Sequence, residues 1–187
     1  MRKIVSHLLM TLDGVVKFDD AFVDTIKHLR GKEVEADFHA ALAHEDAMLL
    51  GRVTYQEWAD FWPTSTFQPF ADHINGVPKY VASRSLQDVQ WGDAGNVALL
   101  DGDFVDAIRA LKQQPGGNIG VHGSPTLVES LLHAGLLDEL RLEIYPVLVG
   151  TGERFFKSGP SRRLRLASTK DTGKGVVILR YEPANEG

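Results

Sequence analysis

Three segments of the chain carry residue types that bind phosphate groups. The first is residues 120–127, where an apolar run ends at Gly120 and Gly123 and a helix then begins. Ser124 is a favoured helix N-cap, and Pro125 suits the first helical position because its missing N–H costs nothing there. A strand that turns through glycine into a helix presents backbone N–H groups and the positive end of a helix dipole, which together bind phosphate.

The other two segments place an arginine and a hydroxyl after an apolar run. Arg52 and Thr54 follow Gly51, and Ser83 and Arg84 follow the next such run. The carboxyl ends of parallel strands share one crevice in an open α/β sheet, and arginine makes paired hydrogen bonds to phosphate oxygens. If the three strands are neighbours, the segments predict a site for NADPH rather than NADH, because NADPH carries a 2′-phosphate.

Each residue also has an ordinary structural interpretation. Thr54 and Glu57 have the spacing of a capping box, so helix capping alone would explain Thr54. Arg52 and Arg84, taken singly, are typical of surface arginines. The combination at three strand ends favours nucleotide binding.

The hydrophobic pattern predicts one domain over residues 1–187 with an α/β fold. The predicted strands that alternate with helices are residues 3–10, 47–50, 79–82, 97–100 and 119–122. Asp103 is placed to cap a helix that runs to about Gln114. From Leu140 onward, where Leu140, Leu142 and Ile144 alternate with polar residues, the pattern indicates consecutive strands without helices. This order predicts a mostly parallel central sheet, antiparallel C-terminal strands at one side, and flanking helices.

Composition excludes several classes of protein. The chain has no cysteine, which excludes disulfides, thiolate catalysis and cysteine-based zinc sites. A net charge of −5 argues against a nucleic-acid partner. No apolar run approaches the ~20 residues that span a membrane, and the histidines lack metal-ligand spacing, so we expect neither a membrane partner nor a metal. A cytoplasmic protein is the default expectation.

Residues 11–14, 50–54, 83–84 and a long block from Gly123 to Gly150 resemble the dihydrofolate reductase-like superfamily. The resemblance is closest to the reductase domain of bacterial riboflavin biosynthesis, the RibD C-terminal domain. It implies a three-layer dihydrofolate reductase-like fold, bound NADPH, and hydride transfer to a pterin-like or pyrimidine-like substrate.

The resemblance also implies roles for individual residues. Arg52 and Thr54 would contact the adenosine phosphates, and Ser83 and Arg84 would hold the 2′-phosphate region. The residues implied at the pyrophosphate turn are Gly120, Gly123, Ser124, Thr126 and Leu127.

His122 departs from the family pattern, because pyrimidine reductases place a glutamate just before the glycine turn. The chain also shows no separate motif for a phosphorylated ribose. Three functions therefore stay open. The favoured one is NADPH-dependent reduction of a small heterocycle. The alternatives are 5-amino-6-(5-phosphoribosylamino)uracil reductase of riboflavin biosynthesis and a non-catalytic NADPH-binding sensor.

Hydride transfer to a C=N bond requires a proton donor. Asp13 is the first candidate because it ends the first strand on the cofactor side, although Asp-Gly is also a common turn pair. His122, at a strand end beside the cofactor, is a candidate substrate-binding residue that could donate a proton near neutral pH; the alternative is a structural histidine whose hydrogen bonds are satisfied. Glu35 and Asp37 are expected to be solvated helix residues.

The substrate pocket and the oligomeric state are predicted from apolar segments. Trp62 is expected to contact the substrate, and Trp58 to pack in the core. Residues 14–24, which include Phe18 and Phe22, are a candidate closing loop. The strand interrupted by Pro146 is expected to form an apolar edge, and a homodimer through the C-terminal strands would cover it.

Overall fold

The computed structural model of the chain describes residues 1–17, 20–157 and 159–184, and of residues 20, 21 and 23 only the backbone. The strands are β1 (Ile4–Thr11), β2 (Glu45–Gly51), β3 (Lys79–Ala82), β4 (Val97–Leu99), β5 (Asn118–His122), β6 (Glu139–Tyr145), β7 (Leu164–Asp171) and β8 (Val177–Pro183). The helices are α1 (Asp20–Ile26), α2 (Lys32–Leu42), α3 (Arg52–Phe61), α4 (Phe70–Gly76), α5 (Phe104–Gln113) and α6 (Pro125–His133), with a 3₁₀ turn at Trp62–Thr64.

The strands form one sheet in the order β4-β3-β2-β5-β1-β6-β8-β7. The strands from β4 to β6 are parallel, whereas β8 is antiparallel to both β6 and β7. The expected mostly parallel sheet with antiparallel C-terminal strands is therefore confirmed. The edge strand on that side is β7, and β6, which ends just before Pro146, lies inside the sheet.

The two faces of the sheet bury different chemistry. The face under α5 and α6 is apolar, and Ile4, Ile119 and Leu131 are fully buried there. The opposite face packs against α2, α3 and α4, and it carries the side chains of His7 and His122 among its aromatic residues. The two histidines therefore lie on one face of the sheet, whereas the buried side chain of Ser6, which pairs in register with Val121, lies on the apolar face.

Local sequence signals account for the start of α5 and for the first and last residues of α6. Asp103 caps α5, as its position before the helix predicts, by accepting hydrogen bonds from the N–H groups of Val105 at 2.9 Å and Asp106 at 3.2 Å. Pro125 opens α6, and Gly135 follows that helix with a φ of +65°, a conformation that glycine adopts at low cost.

Pro63, Pro69 and Gly76 predict a loop-rich stretch over residues 61–77, and residues 14–24 are the candidate closing loop, but both segments contain part or all of a helix. Residues 61–77 contain α4, which forms because Phe70, Ala71 and Ile74 bury one helical face. Residues 14–24 contain the start of α1, and Phe22 is buried against Tyr145 and Val176. Phe22 is therefore a core residue and not part of an open closing loop; Phe18 lies outside the described residues.

Among the described residues, no helix has the length and apolar character to cross a membrane.

Candidate functional site

The three segments predicted to bind phosphate follow the C-terminal ends of three adjacent strands, and these ends form one edge of the sheet. β3, β2 and β5 are consecutive in the sheet order. Gly51 is paired with Ala82 across β2 and β3, so Arg52 and Ser83 leave their strands side by side. Adjacent strands are about 4.8 Å apart. The three strands are therefore neighbours, as the predicted NADPH site requires.

Gly51 brings the end of β2 against the turn that follows β5. A Cβ at position 51 would overlap Ser124 Oγ and lie 3.7 Å from Leu127 Cβ. Because glycine has no side chain, the two segments can come this close.

The turn after β5 presents unpaired N–H groups. Gly123 has a φ of +91°, and no atom of the described residues lies within 4 Å of the position that its Cβ would take. Ser124 also has a positive φ, +56°. Within the described residues, no backbone carbonyl accepts a hydrogen bond from the N–H of Gly123, Ser124 or Thr126. The turn therefore offers donors and open space to a ligand.

Ser124 does not cap α6 in the way that the sequence predicts. It occupies the N-cap position, but its side chain makes no capping hydrogen bond. An N-cap residue that bonds through its side chain has extended backbone angles, whereas Ser124 is left-handed. Its hydroxyl lies against Gly51 instead.

The predicted capping box in α3 is also wrong. The helix begins at Arg52 with Gly51 as its N-cap, so Thr54 is the third helical residue and is buried. Arg52 is exposed at the first position, where its Nη1 donates a 2.9 Å hydrogen bond to Gln56 Oε1.

Ser83 and Arg84 form the end of β3 at the same edge. Ser83 Oγ accepts hydrogen bonds from the N–H groups of Ser85 at 3.2 Å and Leu86 at 3.1 Å, so it turns the chain and keeps its own hydroxyl proton to donate. Arg84 is exposed and has no ion-pair partner among the residues that the structure describes. Its guanidinium is available to an anionic ligand.

Two of the predicted cofactor residues are occupied by other contacts. Leu127 is buried in the core, and its N–H donates to the carbonyl of Ser124 at 2.8 Å. Gly120 lies inside β5 rather than in the turn, and a Cβ there would overlap the carboxylate of Glu45. The structure therefore gives these two positions packing roles.

Glu45 forms the centre of a buried polar cluster that sequence reasoning missed. The Nε2 atom of His122 lies 2.8 Å and 3.0 Å from the two carboxylate oxygens of Glu45, and the Nε2 atom of His73 lies 3.1 Å from Oε1. Burial by itself raises the pKa of Glu45, but the charge and hydrogen bond of His122, with the hydrogen bond of His73, hold it at about 2. Because an ionised carboxylate only accepts hydrogen bonds, both imidazoles donate through Nε2.

His7 completes the cluster on the neighbouring strand. It pairs in register with His122, and their rings stack at 4.9 Å with planes 10° apart. Burial, followed by the charges of His122 and Arg141, lowers the pKa of His7 well below its ordinary value. His7 is therefore a neutral imidazole at neutral pH. Its ring nitrogens have no hydrogen-bond partner among the described residues.

The arginines of this face are paired with carboxylates. Arg180 bonds to Asp37, Arg141 bonds to Glu139, and Arg30 lies 3.6 Å from Glu143. Asp37 is thus an ion-pair partner and not the solvated residue that the sequence predicts, whereas Glu35 is exposed as predicted. Burial raises the pKa of Glu143, to which the hydroxyl of Tyr145 donates a 3.1 Å hydrogen bond.

Asp13 joins the end of β1 to the loop after β6. Its carboxylate accepts hydrogen bonds from Thr11 Oγ1 at 2.6 Å and from the N–H groups of Gly150 at 2.7 Å and Val149 at 3.3 Å. The bond from Thr11, followed by those from the backbone, lowers the pKa of Asp13 to about 2. An ionised, occupied carboxylate does not suit a proton donor, so this geometry supports the turn role.

The two tryptophans exchange their expected places. Trp62 is buried against Phe70, with ring centroids 4.9 Å apart, and its Nε1 is enclosed without a hydrogen-bond partner in the described part of the chain. Trp58 is partly exposed and lies 6.4 Å from the His122 ring. Trp58, rather than Trp62, borders the polar cluster.

One sequence signal pointed to Glu45. A glycine inside a strand marks a close approach by another group, and Gly120 lies inside the predicted strand 119–122. The approaching group was not predictable, because a register shift between Glu45 and Ala47 decides which way the Glu45 side chain turns.

Two solved structures share this arrangement of strands. A putative riboflavin biosynthesis protein from Shewanella sp. PV-4 superposes with a TM-score of 0.79 at 19% identity, covering 98% of this chain and 99% of that one. Dihydrofolate reductase from Enterococcus faecalis, solved in complex with NADP(H), gives 0.59 at 14% identity, covering 98% and 97%. The protein therefore has the dihydrofolate reductase-like fold.

The sequence comparison identifies the family within that fold. Residues 2–178 match the RibD C-terminal domain. The uncharacterized protein YyaP of Bacillus subtilis (strain 168) is 26% identical over 185 residues, covering 96% of this chain and 94% of that protein. The chain belongs to the RibD C-terminal domain family, whose fold and membership support a reductase related to those of riboflavin biosynthesis.

Proposed function

We propose that the protein is an NADPH-dependent reductase that transfers hydride to a small heterocycle of the pterin or pyrimidine class. The observation that carries the proposal is the meeting of three strand ends at one edge of the sheet. Exposed Arg52 and exposed Arg84 lie along that edge, together with the N–H groups of Gly123, Ser124 and Thr126 that are unpaired within the described residues.

The residues at this edge suit a dinucleotide with an additional phosphate. The open space at Gly123 lets a pyrophosphate approach the backbone, where the N–H groups of the turn and the start of α6 bind anions. Arg52 would contact the adenosine phosphates, and Arg84 with the Ser83 hydroxyl would bind the 2′-phosphate. NADPH bound there would supply the hydride. Thr54, buried in α3, would support this segment from below.

The opposite side of the site favours a substrate without a phosphate group. Arg30, Arg141 and Arg180 are each paired with a carboxylate, so binding a phosphate would require breaking an ion pair. Phe38 and Trp58 contribute flat apolar surface beside His122. These contacts favour an uncharged heterocycle over the phosphoribosyl substrate of the uracil reductase.

The reaction is tested by measuring NADPH consumption with a panel of pterins and pyrimidines. We expect at least one heterocycle to be reduced. Gly123→Val should abolish consumption, because the added side chain fills the space left for the pyrophosphate. Gly173→Val is the matched control, since Gly173 also has a positive φ, +73°, and open surroundings but lies between β7 and β8. NADPH binding without consumption would contradict the reductase function and favour the non-catalytic NADPH-binding sensor.

We also propose that the protein forms a homodimer through its C-terminal strands. The edge strand β7 has unpaired backbone groups along one side, and its Leu166 is 48% exposed. Edge strands of this kind pair readily with a second chain. Sedimentation of the protein and of Leu166→Lys should show a dimer that the charge weakens; a monomeric parent protein would contradict the proposal.

A further inference from the structure

The Glu45 carboxylate is an expensive group to bury, and its surroundings are arranged to hold it. Its side chain is 2% exposed. An ionised carboxylate taken out of water costs several kcal/mol unless it is paired and hydrogen-bonded. Gly120 leaves the space in which the carboxylate sits, since any side chain at that position would overlap it. The contact therefore requires both a glycine inside a strand and a buried charge.

The contact determines which nitrogen of His122 is available. Nε2 is engaged by both oxygens of Glu45. Nδ1 has no hydrogen-bond partner among the described residues. The buried side-chain atoms that lack a partner there belong to Ser6, Trp62 and His133, so Nδ1 of His122 is not one of them. His122 is followed directly by Gly123, the first residue of the turn that we assign to the pyrophosphate.

We propose that Glu45 is a positioning residue that fixes the proton of His122 on Nε2, so that Nδ1 is the atom that exchanges a proton with the bound substrate. The proposal rests on the reductase function proposed above. A carboxylate that orients an imidazole and sets its tautomer is a general device for proton transfer.

The proton transfer balances with the hydride transfer. Hydride adds to the carbon of the substrate C=N bond, and the π-electron pair moves to the nitrogen. That nitrogen takes the proton from His122 Nδ1, so the substrate gains one hydride and one proton in total. His122 then recovers a proton from water, and Glu45 stays ionised throughout.

The charged and titratable neighbours of the pair come from several elements. His7 on β1 and His73 on α4 act on Glu45 directly, whereas the charges of Arg141 on β6 and Arg180 on β8 act on His7. Glu143 on β6 is close enough to His122 for their charges to interact. Because the low pKa of His7 keeps that ring neutral, His122 is the imidazole of the stacked pair that suits a proton donor.

The tautomer is tested directly by long-range ¹H–¹⁵N NMR on the full chain. When the His122 ring is neutral, we expect a single form with its proton on Nε2. In Gly120→Ala, the added methyl group displaces the Glu45 carboxylate, and we expect the second tautomer to appear. A proton on Nδ1 in the parent protein would overturn the proposal, as would an unchanged spectrum in Gly120→Ala.

The pairing has a second readout in the ¹³C titration of the Glu45 carboxyl. Glu45 should stay ionised down to about pH 2 in the parent protein. His122→Asn should raise the pKa of Glu45 by more than one unit, because burial still raises it while the charge and hydrogen bond of His122 that lower it are lost. His73→Asn removes only one bond and should raise it less. A larger effect in His73→Asn would show that Glu45 serves His73 instead.

Turnover separates a positioning role from a purely structural one. With the heterocycle that the panel identifies, Glu45→Gln should lower kcat by about 100-fold and change its pH profile, while leaving the Kd for NADPH unchanged. Parent-like kcat and pH profile in Glu45→Gln would overturn the proposal. If the parent protein neither binds nor consumes NADPH, the proposed function fails, and the NMR arms still decide the Glu45–His122 pairing.

Discussion

The Cα of Gly51 faces the hydroxyl of Ser124 so closely that a methyl group at position 51 would overlap it. Gly51 ends β2, and Ser124 stands at the start of α6, so this approach joins two of the three segments that we assign to the cofactor. Gly51 has a φ of −79°, which any residue adopts, so its glycine is required by space and not by backbone conformation.

Gly51→Ala should therefore weaken NADPH binding without unfolding the protein. The methyl group must push Ser124 away and shift the N–H groups of the turn, and we expect a loss of about tenfold in affinity, which corresponds to ~1.4 kcal/mol. Calorimetric titration measures the change. Gly76→Ala is the control, because in the part of the chain that the structure describes no atom lies within 4 Å of a Cβ at position 76. Equal affinities in the two variants would contradict the role of this contact.

Asp13→Asn should destabilise the protein in a pH-dependent way. The pKa of Asp13 is lowered from 3.8 to about 2, so its ionised form contributes stability above about pH 4 that is lost as the pH falls towards 2. Urea unfolding at pH 7 and at pH 2.5 should show a difference in unfolding free energy between parent and variant at pH 7 that becomes smaller at pH 2.5. Asp60→Asn, at an exposed position on α3, is the control. A difference that does not change with pH would contradict this assignment.

Lys79, at the start of β3, gives a second increase of stability with rising pH, in the alkaline range. It is buried, and its Nζ donates to the carbonyls of Asn75 at 3.2 Å and Val77 at 2.8 Å and to Asn96 Oδ1 at 3.1 Å. Burial lowers its pKa from 10.5 to about 8, so between these values the unfolded chain holds a proton that the folded chain has released. The parent protein should gain stability from pH 8 to 10.5.

Lys79→Met tests this, because the variant has no ammonium group at that position. Its unfolding free energy, measured across the same pH range, should lack the gain that Lys79 contributes. A difference between parent and variant that stays constant from pH 8 to 10.5 would show that Lys79 is not perturbed.

The sheet was predictable because its signals are local. Two of these signals depend only on residues close together in sequence, and the structure confirms both. They are the alternation of Leu140, Leu142 and Ile144 in β6 and the Asp103 cap of α5. The glycine turn and the arginines at the strand ends were recognised for the same reason, although their binding roles stay predictions.

The polar cluster was not predictable because its members are distant in sequence. His122 and Glu45 are 77 positions apart, and only the order of β2 and β5 in the sheet brings them together. The predicted role of Asp13 illustrates the reverse problem. Its place after β1 indicated a pocket, but the loop that occupies its carboxylate comes from residues 149 and 150.

Arg84→Ala should distinguish the two nicotinamide cofactors. The guanidinium is exposed, and a charge-assisted bond to a 2′-phosphate contributes about 1.5–3 kcal/mol. We therefore expect NADPH affinity to fall at least about tenfold while NADH affinity stays nearly unchanged. Arg163→Ala removes the same charge from an exposed position near β7 and should affect neither. Equal losses for both cofactors would contradict the assignment of Arg84 to the 2′-phosphate.

The binding of NADPH and NADH to the parent protein is the measurement that tests the central claim most directly. Calorimetric titration should give micromolar binding of NADPH and much weaker binding of NADH, because Arg52, Arg84 and the turn at Gly123 together recognise the phosphate groups. Absence of binding for both cofactors, or equal affinity for the two, would contradict the claim that this edge of the sheet is an NADPH site.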